Sequence, residues 1–159
     1  MTQSKQFAPP IIQGRPLKII LASTSPFRQK LLQDAGISFS IKAPTGDEKT
    51  IFGLPPKVLA AKRAEFKAIN VATHSPPDSI VIGADQVLGF EGQSFDKSDS
   101  RKDALEKLRR LQGNTHFLHS AFCFVLVHHS GSCETLFESV VDIAMTMRSL
   151  SDGELRSEE

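Results

Sequence analysis

The chain has 159 residues, a formal net charge of +1, 40% hydrophobic and 23% charged residues. At roughly 150 residues per domain this is one domain. The composition is ordinary for a globular chain and excludes a disordered tract, a collagen-like chain and a coiled coil. Near-neutral charge speaks against nucleic acid as a partner, and no stretch reaches the roughly 18–20 apolar residues that span a membrane. Residues 1–16 read as a flexible lead-in without the apolar run of a signal peptide, and 17–159 as the domain. Two cysteines, Cys123 and Cys133, form neither a disulfide scaffold nor a CxxC pair, so a cytoplasmic protein with free thiols is expected.

Lys18 to Ala22 (KIILA) predicts a buried strand. Ser25 is a natural N-cap and Pro26 suits the first helical position. Phe27, Leu31, Leu32 and Ala35 then share one helical face, with Gly36 as the stop. Residues 37–43 alternate like a strand, and a loop containing Asp47-Glu48 follows. A helix is expected from Pro56 to about Ala72, broken by Ser75-Pro76-Pro77. Ser79 to Ala84 (SIVIGA) predicts a buried strand ending at Asp85-Gln86, and Val87 to Phe95 a hairpin turning at Glu91-Gly92. Asp99 or Ser100 caps a helix striped by Ala104, Leu105, Leu108 and Leu111, with Gly113 as its end. Thr115–His128 and Cys133–Met147 read as a long hairpin. Val141, Ile143, Met145 and Met147 keep a period of two, which predicts one buried face. Ser151 and Glu154 have capping-box spacing.

Two stretches bear chemistry, and each follows an apolar strand, where ligands of open α/β sheets collect. Ser23 to Arg28 offers helix-start N–H groups, two hydroxyls in Ser23 and Ser25, and the Arg28 guanidinium. This suits a phosphate, and equally a capped helix with a surface arginine. Asp85, behind SIVIGA, suits a general base or a metal ligand, and equally a turn that caps its own backbone. Glu48, Lys67 and Lys97 are possible companions, since polyphosphate chemistry needs cations around the oxygens and a carboxylate for Mg²⁺. His116 and His119 lie three apart on a predicted strand and so face opposite ways, which argues against shared metal binding.

Five segments in order, LASTSPFRQKLL, GDE, RAEFKA, IVIGADQV and FDK, resemble the Maf family of nucleotide pyrophosphatases over about Leu17 to Leu155. The resemblance implies an α/β fold, a mixed central sheet flanked by helices as in the inosine-triphosphate pyrophosphatases. It implies hydrolysis of a nucleoside triphosphate to the monophosphate and pyrophosphate with a divalent cation, Mg²⁺ or Mn²⁺, and a possible homodimer. Carried over by motif, Asp85 is catalytic, Ser23, Ser25, Arg28, Lys67 and Lys97 bind substrate, and Glu48 with Asp85 holds the metal. Ser98 stands where the family's lysine motif has proline. The Phe27-Arg28 and Asp85-Gln86 pairs are similar to the branch acting on 7-methyl-GTP. The branch acting on dTTP and UTP carries Arg-Arg and Asp-Thr instead. Phe27 either stacks on the cationic methylated base or packs in the core beside Leu31. Family members continue past the stretch matching Leu150 to Leu155 with a Gly-rich segment at the nucleotide site, so a C-terminally truncated domain is expected, with a non-catalytic nucleotide-binding or regulatory module, or a dTTP/UTP pyrophosphatase, as the alternatives.

Overall fold

In a computed structural model, which describes residues 8–12, 14–151, 153 and 154, the apolar runs assemble into a mixed six-stranded sheet. The elements are β1 (Ile11–Ile12), β2 (Arg15–Pro16), β3 (Lys18–Leu21), α1 (Pro26–Asp34), β4 (Ser40–Ile41), a 3-10 turn (Glu48–Thr50), α2 (Pro56–Ala72), β5 (Ser79–Phe90), β6 (Gln93–Phe95), α3 (Arg101–Leu111), β7 (Thr115–Val127) and β8 (Cys133–Thr146). The sheet order is β4-β3-β5-β7-β8, with β6 also paired to β5. β4, β3 and β5 run parallel, whereas β6, β7 and β8 join antiparallel. Among the described residues no helix is long and apolar enough to cross a membrane.

The core lies between α2 and one face of the sheet. Leu59, Ala60, Ala64, Ala68 and Val71 of the helix pack against Ile20, Val81, Val87, Ala121, Cys123 and Val125. The alanines let the helix come close, and Gly83 of β5 completes the fit: a Cβ there would lie 2.6 Å from the Ala68 amide and 2.7 Å from its methyl group. This face of β5 carries Ser79, Val81, Gly83 and Asp85 in strict alternation, so the packing that buries Val81 also aims Asp85 at α2.

Several expectations are corrected. Within 1–16, read as a flexible lead-in, Ile11–Ile12 and Arg15–Pro16 pair as a small antiparallel ribbon of β1 and β2; residues 1–7 and 13 lie outside the described residues. The strand expected over 37–43 is confined to Ser40–Ile41. β5 does not end at Asp85-Gln86 but continues to Phe90, because β7 pairs with it as far as Gly89 and β6 takes over its other edge from β3. The hairpin then turns through Glu91 and Gly92, both at positive φ. The stripe expected to bury α1 does not: no residue of this helix is buried, and Leu31 is 69% exposed. The period-two pattern of β8 also buries nothing. Phe137, Val141, Ile143 and Met145 are all about half exposed, because β8 is the edge strand and α2 covers the opposite face of the sheet. Met147 lies just beyond β8. The capping box does form, with Ser151 Oγ accepting from the Glu154 amide at 3.3 Å and Glu154 Oε2 accepting from the Ser151 amide at 2.9 Å.

Two outcomes follow from this packing. Gly83→Ala drives a methyl group into the α2 backbone, and overpacking of this kind costs about 1–3 kcal/mol. At about 2–4 °C per kcal/mol for a chain of this size, thermal unfolding followed by circular dichroism is expected to shift down by several degrees; an unchanged midpoint would mean that α2 does not sit this close. The two thiols are expected to differ in reactivity. Cys123 is buried and Cys133 exposed, and burial, with the neighbouring Glu138 carboxylate, pushes the Cys123 thiol up to about 12. Since the thiolate is the reactive form, iodoacetamide at pH 8 is expected to label Cys133 in the native protein and Cys123 only after denaturation, as read by peptide mass spectrometry.

Candidate active site

Parallel pairing of β3 with β5 ends at Leu21 opposite Ile82, and the chain leaves the sheet through Ala22 and Ser23. Ser23 is buried, and its Oγ accepts from the Ser25 amide at 3.2 Å and from Arg28 Nη1 at 3.1 Å. That hydroxyl therefore pins a guanidinium from the first turn of α1. Ser25 occupies the N-cap position with extended backbone, yet its side chain makes no capping hydrogen bond. The helix start thus keeps unsatisfied N–H groups of the kind that receive anions.

Beside this turn lies an ion-pair cluster built on a buried lysine. Lys67 falls on the inward stripe of α2, spaced with Ala60, Ala64 and Val71, and is 9% exposed. Its Nζ donates to Asp85 Oδ1 at 2.6 Å and also forms an ion pair with Glu48 Oε2. Asp85 is itself 8% exposed. Buried charges are tolerated when paired in this way, and removing one partner of such a pair typically costs about 3–5 kcal/mol.

The loop that presents Glu48 is tied to α2 at two points. Asn70 Oδ1 accepts from the Thr45 amide at 2.9 Å, and Arg63 Nη2 donates to the Ile51 carbonyl at 3.2 Å. Arg63 Nη1 also meets Asp96 Oδ1 at 3.1 Å, immediately before Lys97. Within the loop, the Asp47 carboxylate accepts from the Lys49 amide at 2.9 Å and opens the 3-10 turn. One arginine on α2 therefore braces both the acidic loop and the lysine loop. Sequence reasoning missed it, although Arg63 stands in the same RAEFKA segment as Lys67.

The result is a cleft of about 600 Å³ in which Ser23, Ser25, Phe27, Arg28, Glu48, Lys67 and Lys97 meet, joined by Asp47 and Lys49. Asp85 touches it through Lys67. Phe27 is 82% exposed at this cleft, which excludes the core-packing reading of its side chain. Gln86 is not brought to the cleft. Strand alternation turns it to the sheet face opposite Asp85, where Nε2 donates to Ser120 Oγ at 2.8 Å. Among the described residues no group of three or more His, Cys, Asp or Glu side chains could hold a metal. His119 Nδ1 is 2.9 Å from Asp142 Oδ1. Hydrogen bonds from Lys57 and then His119 hold the Asp142 carboxyl below the usual carboxylate range.

The Maf-like protein family model matches residues 18–157. A 7-methyl-GTP pyrophosphatase of Bartonella quintana is 46% identical over 107 residues, which are 65% of this chain and 54% of that protein. A nucleoside triphosphate pyrophosphatase of Rhodopseudomonas palustris is 42% identical over 144 residues, covering 88% of this chain and 68% of its own length. The chain thus spans about half to two thirds of the curated relatives it matches. Among solved structures, the Ham1 protein of Staphylococcus aureus aligns with a TM-score of 0.45 at 17% identity, over 79% of this chain and 70% of that one.

Proposed function

The chain belongs to the Maf family, and on that premise we propose that it hydrolyses a nucleoside triphosphate, 7-methyl-GTP foremost, to the monophosphate and pyrophosphate. The observation that carries the reading is the single cleft in which Lys67 joins Asp85 to Glu48 beside Arg28 and Ser23. Cations and a helix start suit the polyphosphate tail, and a buried carboxylate at the same cleft suits a water that attacks it. The free cysteines accord with a cytosolic setting.

A divalent cation fits these residues. Two carboxylates from separate elements converge on one cationic position, and Mg²⁺ is commonly bound by one or two carboxylates together with substrate phosphates. Glu48 and Asp85 would hold Mg²⁺ or Mn²⁺, which when bound neutralises charge on the phosphate oxygens. In this reading Arg28, anchored by Ser23, and Lys97 bind the tail and stabilise the charge that grows on its oxygens. The free Ser25 hydroxyl and the α1 amides orient it. A carboxylate oxygen of Asp85 accepts the proton of the attacking water. Phe27, exposed at the cleft, offers its ring to the base, and a cationic N7-methylguanine gains from that contact by about 0.5–2 kcal/mol.

Asp85→Asn is expected to retain nucleotide binding while pyrophosphate release from 7-methyl-GTP with Mn²⁺ falls by about 10²–10⁴-fold, the usual contribution of a general base. Release at the parental rate would remove Asp85 from that role, and binding without release by the parent chain would make it a nucleotide-binding module instead. Phe27→Ala is expected to raise KM for 7-methyl-GTP by about 2- to 30-fold, the factor equivalent to its cation–π contact, with kcat unchanged and with a smaller effect on GTP. Equal effects on the two nucleotides in steady-state assays would exclude recognition of the methylated ring by this residue.

A further inference from the structure

Lys67 holds a place that the proposed chemistry assigns to another cation. Its Nζ stands 2.6 Å from Asp85 Oδ1 and pairs with Glu48 Oε2, the two carboxylates to which a divalent cation is assigned. These acids come from a 3-10 turn and from a strand, and within the structure Lys67 is what joins them. We infer that the Lys67 ammonium is the protein's built-in occupant of the cation position between Glu48 and Asp85, so that a divalent cation binds there only as Lys67 withdraws toward the polyphosphate. The inference rests on the metal-dependent reading above and concerns the order and coupling of loading.

Charge and geometry carry it. One ammonium between two carboxylates leaves a single net negative charge, a weak attraction for a divalent ion from water. Bound to the same oxygens, that ion would stand beside the ammonium, and like charges at ion-pair distance repel strongly where water is scarce. Lys67 has a route out. Its stem is fixed in the α2 stripe beside Ala64, whereas the side chain also lines the cleft with Ser23, Arg28 and Lys97, the groups assigned above to the polyphosphate. A polyphosphate therefore draws the ammonium away at the same time as it supplies oxygens to the ion. Metal and phosphate raise one another's affinity, and by linkage the factor is the same in both directions.

The test is Mn²⁺ binding to the nucleotide-free chain, read from the electron paramagnetic resonance signal of the free ion. Lys67→Met is expected to bind Mn²⁺ at least tenfold more tightly than the parent, and Asp85→Asn to lose that binding. Adding inorganic triphosphate is expected to tighten retention of Mn²⁺ strongly in the parent and little in Lys67→Met. Equal or weaker Mn²⁺ affinity in Lys67→Met overturns the inference and leaves the metal reading standing. Failure of both proteins to bind Mn²⁺, with or without triphosphate, overturns both. If Lys67→Met does not fold, the parent decides: trace acetylation of Lys67 by acetic anhydride, read by mass spectrometry, is expected to speed up when Mn²⁺ is added. An unchanged rate overturns the inference.

Discussion

The contact on which the structure turns is the salt bridge that Lys67 makes with Asp85 and Glu48 under the cover of α2. Two of the charged groups, Lys67 and Asp85, are out of water, which is costly unless each has a partner at close range, while Glu48 reaches the same ammonium from a partly exposed turn. Helix, strand and loop are therefore bound by one condition: the helix must supply the ammonium, the strand one acid and the loop the other. The ties from Arg63 and Asn70 of α2 to the loop serve this condition. Without them Glu48 would hang on an exposed turn with little reason to stay against Lys67.

The same arrangement explains where the chemistry gathers. β3 ends early and β5 runs on past it, so a notch opens at the sheet edge beyond Leu21. Into that notch come the start of α1, the acidic turn and the buried tip of Lys67. The notch is formed because neighbouring strands differ in length, and cations (Arg28, Lys49, Lys67 and Lys97), hydroxyls and a helix start line it beside the acidic turn and the Phe27 ring. An anionic chain such as a polyphosphate is the complement of such walls, whereas an apolar ligand would leave their polar groups unpaired.

Much of this was legible in the residues. Ser25-Pro26, Pro56 and the Asp99-Ser100 pair marked helix starts, of which Ser100 is the α3 cap, and the Ser75-Pro76-Pro77 break separated α2 from β5. The long hairpin read over Thr115–His128 and Cys133–Met147 matches β7 and β8 to within one residue at each end. The failures have a common cause: a pattern reveals which face is apolar but not whether anything covers it. Val141, Ile143 and Met145 alternate as a buried strand would, yet they lie on an open edge strand. Phe27 and Leu31 share a helical face that no element covers. Gln86 follows Asp85 in sequence, but its side chain points through the other side of the sheet, a consequence of alternation that the extension of β5 beyond Asp85 made decisive. The strongest overlooked signal was a charge at a core spacing. Lys67 falls in register with Ala60, Ala64 and Val71, and a lysine in an alanine stripe has no place unless acids await it.

The contact between Gly83 and the α2 backbone has one more effect. Helix and sheet touch there with no side chain between them, so their separation is set by the hard radii of main-chain atoms and has no slack. Lys67 stands one residue before Ala68 on the helix, and Asp85 two residues after Gly83 on the strand. The gap between ammonium and acid is thus gauged from an adjacent steric stop, and a rotation of the helix by a single residue, about 100°, would carry the lysine off the sheet altogether. A glycine with no functional group of its own in this way acts as the datum from which the charged pair is measured.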